Sequence, residues 1–107
     1  MHEYFIDASA RAAFDPAKAT KADLFQGAAL FVGLNCFEAG QGQRAHVHGG
    51  ADKFYLILSG RARLTVGEET REAGPGTVVW APADVSHGVN EALERTVMLV
   101  AIAPPPR

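Results

Sequence analysis

Three of the chain's four histidines fall in two short segments, His46-Val47-His48 and His87. In a β-strand residues i and i+2 point the same way, so His46 and His48 project side by side from one face. Two neutral imidazoles placed like this bind one metal ion from a single strand. A third ligand must come from elsewhere, and His87, in the Pro/Asp-rich turn PADVSH, is the candidate. Three imidazole nitrogens suit a divalent transition metal: Fe, Mn, Zn, Ni or Cu. The same rings can instead hydrogen-bond a small ligand directly.

The surroundings of these histidines resemble the cupin superfamily, whose first motif is G(x)5HxH(x)3–4E(x)6G. In GQGQRAHVHGGADKFYLILSG, five residues separate Gly40 from His46, and Gly60 stands at the motif's final glycine. The second motif, G(x)5PxG(x)2H(x)3N, is similar to GTVVWAPADVSHGVNE, with Gly76, Pro82 and His87 in register. The resemblance spans residues 28–103 and implies a small single-domain bacterial member. The fold implied is all-β: an antiparallel, conical or jelly-roll-like β-barrel.

The chain departs from the motifs at three places. The glutamate expected as fourth metal ligand falls on Lys53, while Asp52 matches the shorter permitted spacing but has the opposite strand parity. The second glycine of the PxG turn is Asp84, a residue that tolerates a left-handed turn. The asparagine position is Glu91, with Asn90 one residue early. An ammonium about 4 Å from a dication costs roughly 8 kcal/mol at an effective dielectric of about 20. A metal therefore requires Lys53 to point away, pair with an acid, or lose its proton. A bulge at Gly49-Gly50-Ala51 would turn Asp52 inward as fourth ligand. Otherwise Lys53 and Tyr55, which share parity, line the ligand pocket.

These side chains must be carried by strands. From Ala28 onward, runs rich in Val, Leu, Phe and Thr alternate with Gly, Pro and Asp punctuation, the signature of a sandwich or barrel. The expected strands are 28–38, 44–48, 53–58, 61–66, 70–73, 77–81, 86–90 and 96–103, with a hairpin turn at Gly67-Glu68-Glu69. Residues 1–27 read as an N-terminal arm with minor helix: Asp7 or Ser9 caps one short stretch and Pro16 opens another over AKATKADLF. The barrel then covers 28–103, and 104–107 form a frayed tail.

FYLIL, TVVWA and TVMLVAIA are apolar at odd and even positions, which predicts burial on both faces. The barrel covers only its inner face. The outer face must meet the arm or a second subunit, so a homodimer is expected.

Ten basic against twelve acidic residues, scattered along the chain, give no footprint for nucleic acid or anionic lipid. No apolar run is long enough to span a membrane, and the first residues lack the features of a secretion signal. The single Cys36 sits in an apolar run as a small hydrophobe, which favours a reduced, cytoplasmic setting. A cupin resemblance cannot name an activity. The readings left open are a metal-dependent enzyme of dioxygenase or isomerase type acting on a small oxygenated molecule, a non-catalytic small-molecule-binding protein, and a metal-independent sugar epimerase-like enzyme. The last needs a pocket histidine as base, oriented by Asp52 or Asp84.

Overall fold

Backbone pairing in a computed structural model, which describes residues 3–47 and 49–106, builds two antiparallel sheets facing one another. The strands are β1 (Thr20–Gln26), β2 (Phe31–Phe37), β3 (Gln43–His46), β4 (Asp52–Ser59), β5 (Ala62–Val66), β6 (Glu69–Ala73), β7 (Val78–Ala81), β8 (His87–Ala92) and β9 (Thr96–Ala103). One sheet has the order β1-β2-β9-β4-β7 and the other β3-β8-β5-β6. This is the all-β barrel of two sheets that the alternation of apolar runs and turn residues predicts.

Strand periodicity sorts the side chains into two layers. Inside, Phe37, Tyr55, Ile57, Leu64, Val89, Met98 and Val100 pack into the barrel core. Outside, Leu34, Cys36 and Val97 form a second cluster, covered by Ala8, Ala12 and Phe14 of the arm and by Leu24 and Leu99. The doubly apolar pattern of β9 thus has its physical cause: one face fills the barrel and the other lies under the arm. Cys36 is buried in that outer cluster.

The arm needs one correction. A 3-10 turn at Ser9–Arg11 is its helical content, and the helix expected after Pro16 does not form. Asp15 accepts a hydrogen bond from the backbone N–H of Ala17 at 2.8 Å and turns the chain, and Thr20–Gln26 becomes an edge strand. Ala22 and Leu24 alternate with Lys21 and Asp23, so pairing with β2 buries the apolar pair against Leu34. Tertiary pairing outweighs the helix propensity that the alanines lend this stretch. The barrel therefore starts at Thr20 rather than Ala28. At the other end Pro106 is among the residues that line the barrel opening.

Two backbone positions shape the frame near the motifs. Gly60 has φ +84°, and a Cβ there would stand 2.2 Å from the Arg95 carbonyl oxygen, so only glycine fits. Asp84 takes the left-handed conformation, φ 68°, in the turn where the motif has glycine.

Candidate functional site

β3 and β8 bring the two histidine segments together. His46 and His87 are directly paired across the ladder, and their ring centroids are 4.5 Å apart. Each Nδ1–H donates to the backbone carbonyl two residues earlier, His46 to Arg44 at 2.9 Å and His87 to Val85 at 3.0 Å. A carbonyl only accepts, so either ring, when neutral, carries its proton on Nδ1 and its lone pair on Nε2. This outer support sets the tautomer that a metal-binding imidazole needs. His87 is buried and His46 half-buried. His48 lies outside the described residues. Among the described residues no group of three His, Cys, Asp or Glu is placed to hold a metal.

Beside the histidines an open cavity of about 650 Å³ separates the ends of the two sheets. Its walls carry Lys21 and Asp23 from β1, Asn35 from β2, Gln43 and His46 from β3, and Lys53 from β4. Polarity changes along each inward-facing row. On β4 the row runs Lys53, Tyr55, Ile57, and on β2 it runs Gly33, Asn35, Phe37, so the barrel is polar at its mouth and apolar below.

Lys53 faces this interior and is only 5% exposed. Its Nζ stands 4.8 Å from the centroid of the Tyr55 ring. Burial, and after it the positive charge of Lys21, push the Lys53 ammonium down to about 8. Tyr55 is fully buried, which pushes its phenol well above the usual range, and its hydroxyl donates to Gln43 Oε1 at 3.2 Å. Lys53 thus lines the cavity, and Tyr55 lies beneath it.

The inward turn of Asp52 is corrected. Asp52 is exposed, and its Oδ1 accepts the backbone N–H of Ala83 at 2.9 Å. The β4–β9 ladder is regular from Asp52 to Ile57, so no bulge shifts parity and Asp52 stays on the outer side. It anchors the turn leading to His87 rather than reaching the site. Glu91 and Asn90 are likewise engaged elsewhere, Glu91 with Arg63 at 3.0 Å and Asn90 with the Thr65 hydroxyl at 2.8 Å.

Sequence reasoning misses Lys21, Asn35 and Gln43. A helical reading of the arm hides the i+2 alternation that puts Lys21, exposed on the edge strand, at the cavity wall. Asn35 is concealed in the apolar run LFVGLNCF, although a polar residue at an interior position of such a run is itself a signal.

Comparison with known proteins agrees with this architecture. Residues 33–102 match the family model described as Cupin domain. A protein of Streptomyces coelicolor is 40% identical over 78 residues, covering 71% of each chain. The crystal structure of TT1209 from Thermus thermophilus is 37% identical, with a TM-score of 0.91, and the match covers 97% of this chain and 100% of that one. KdgF from Halomonas sp. shares the fold at 20% identity, with a TM-score of 0.86 over 99% and 96% of the two chains.

Proposed function

Because the chain belongs to the cupin family, we propose that it binds a divalent transition metal through His46, His48 and His87, at a pocket that takes a small oxygenated molecule. The observation that carries this reading is the paired placement of His46 and His87, each with its Nδ1 tied to a main-chain carbonyl. Such rings present Nε2 as a donor with little rotational freedom left to lose. His48 joins them on the strength of the HxH spacing.

Bound there, Fe, Mn, Zn, Ni or Cu would supply a Lewis-acid or redox centre with positions open to a small molecule. The residues of the chain do the rest. His46 and His87 hold their tautomers, Tyr55 and the apolar rows beneath exclude water from the base of the pocket, and the polar mouth receives the ligand. Lys53 is at odds with a cation, as are Lys21 and Arg44 at the same cavity, and the lowering of its pKa to about 8 reduces the cost of losing its proton when a metal binds. Metal analysis of protein purified without a histidine tag is the deciding experiment. Near-stoichiometric transition metal supports the reading. Metal-free protein that also fails to bind Zn, Ni or Mn at micromolar concentration overturns it.

The assembly belongs to the same reading. Val78 and Trp80 on the edge strand β7 are 61% and 65% exposed, and Phe54 lies beside Trp80 in the β4–β7 ladder. The arm covers β2 and β9 but leaves this face bare. A second copy of the chain seated on it, forming a homodimer, removes both the apolar surface and the free strand edge. A cytoplasmic setting is supported by the lone, buried cysteine. Among the described residues no helix is long and apolar enough to cross a membrane.

A further inference from the structure

We infer that the barrel mouth is built to hold a small oxyanion, a carboxylate or phosphate carried by the ligand, with Lys53 and Lys21 as its counter-charges and Asn35 as an orienting donor. The inference rests on the preceding reading only in taking the cavity as the ligand pocket. It does not require the metal.

Four observations converge. Lys53 is 5% exposed, yet among the described residues no carboxylate lies within 4.0 Å of its ammonium or of that of Lys21. A lysine buried without a counter-ion is costly, and a bound anion removes that cost. Second, Asn35 is 5% exposed, lines the same cavity and has, among the described residues, no hydrogen-bond partner for its Nδ2. A buried amide donor left unsatisfied costs about 1–3 kcal/mol, so a pocket that keeps one is suited to an acceptor from outside. Third, the register sets Lys21 directly opposite Asn35 across β1 and β2, both with interior parity. Fourth, Gln43 receives the Tyr55 hydroxyl on its Oε1, which leaves its amide N–H groups as further donors at the cavity wall.

The charge of the lining points the same way. Among the described residues that line the cavity, Lys21, Arg44 and Lys53 stand against one carboxylate, Asp23, so this lining is basic in a chain of net charge −2. Donors and cations concentrated in a partly dry recess select an acceptor-only group, and a carboxylate or phosphate is such a group. The Lys53 position is telling. Where the family motif places a metal-binding carboxylate, this chain places its positive counterpart, which reverses the charge that the pocket accepts.

The test uses metal-free, EDTA-dialysed protein titrated with succinate, inorganic phosphate and the neutral analogue succinamide, followed by backbone amide shifts. Saturable shifts on β1, β2 and β4 with succinate or phosphate, and none with succinamide, are expected. The better of the two anions identifies the head group. Lys53→Met should weaken binding about tenfold and Lys21→Gln about threefold, as expected for loss of a charge-assisted contact in a buried and a more open place. Amide spectra confirm that each variant is folded, and Lys21, on an edge strand, serves if Lys53→Met is not. Succinamide binding as tightly as succinate, no binding of either anion at millimolar concentration, or variants within twofold of wild type would each overturn the inference. A Zn titration of the same samples separates the two readings. Oxyanion binding without metal binding overturns the metal proposal and leaves this one standing, and the reverse outcome overturns this one alone.

Discussion

Asp52 and Lys53 are neighbours in sequence and leave β4 on opposite sides. The Asp52 carboxylate caps the N–H of Ala83 outside, while the Lys53 ammonium lies over the Tyr55 ring within the barrel. Charge at the pocket wall is therefore set by Lys53. Replacing Lys53 with Glu should tighten transition-metal binding at the histidines at least tenfold, with Lys53→Met intermediate. About 1.4 kcal/mol is tenfold, a small part of the roughly 8 kcal/mol that an ammonium close to a dication costs. Isothermal titration with Zn or Ni gives the order. Weaker binding in Lys53→Glu than in wild type would mean that the lysine supports the metal indirectly.

Removing a histidine should separate metal binding from folding. His46 is half-buried and at the end of its strand, so His46→Ala should keep the fold and weaken metal binding by more than the about 10–100-fold typical of losing a supporting partner. His87→Ala should lose metal as well, and also lower the melting temperature, because it empties a buried position. Circular dichroism beside the metal titration distinguishes the two. Unchanged metal affinity in both variants contradicts the assignment.

The buried lysine makes stability depend on pH with a defined sign. Lys53 titrates near 8 in the folded chain against its ordinary value of 10.5. Between those values the unfolded chain binds the proton that the folded chain has released, so stability rises with pH. Below about pH 8 both states are protonated and the cost of the buried charge is fully felt. Urea denaturation of wild type and Lys53→Met at pH 7, 8.5 and 10 should show Lys53→Met the more stable at pH 7, with the gap closing as pH rises. Other groups titrate alike in both chains and cancel in the difference. A gap independent of pH would place the ammonium in solvent.

At the bare β4–β7 face, Trp80→Asp combined with Val78→Lys should turn a dimer into a monomer without unfolding it. Both side chains are more than half exposed, so their loss removes contacts between subunits rather than core. Light scattering at micromolar concentration measures the mass of each. A monomeric wild type would show that this face stays exposed without a second copy, and would overturn the homodimer.

Gly60→Ala should destabilise the fold although it adds only a methyl group. The left-handed backbone costs about 1 kcal/mol for a residue with a Cβ, and contact with the Arg95 carbonyl adds strain of about 1–3 kcal/mol. Thermal denaturation should show a fall of several degrees. Metal binding should persist at temperatures where the variant remains folded, since Gly60 lies at the junction of β4 and β5, away from the histidines.

What the sequence by itself determined is the repeating, local part. Apolar runs punctuated by Gly and Pro specified the strands from Phe31 to Ala103 because period-2 patterning and turn chemistry act within a few residues. The spacing of Gly40, Gly60, Gly76 and Pro82 with the histidines identified the barrel, and the parity of Lys53 and Tyr55 placed both on its inner face. The tertiary structure decided what depends on pairing partners distant in the chain. Thr20–Gln26 became a strand because β2 offered a ladder that an Ala-rich helix could not match. Asp52 stayed outside because the β9 ladder held its register and the Ala83 N–H gave it a partner. Only packing of β1, β2, β3 and β4 around one opening set Lys21, Asn35 and Gln43 beside Lys53, since no local rule relates residues on four different strands.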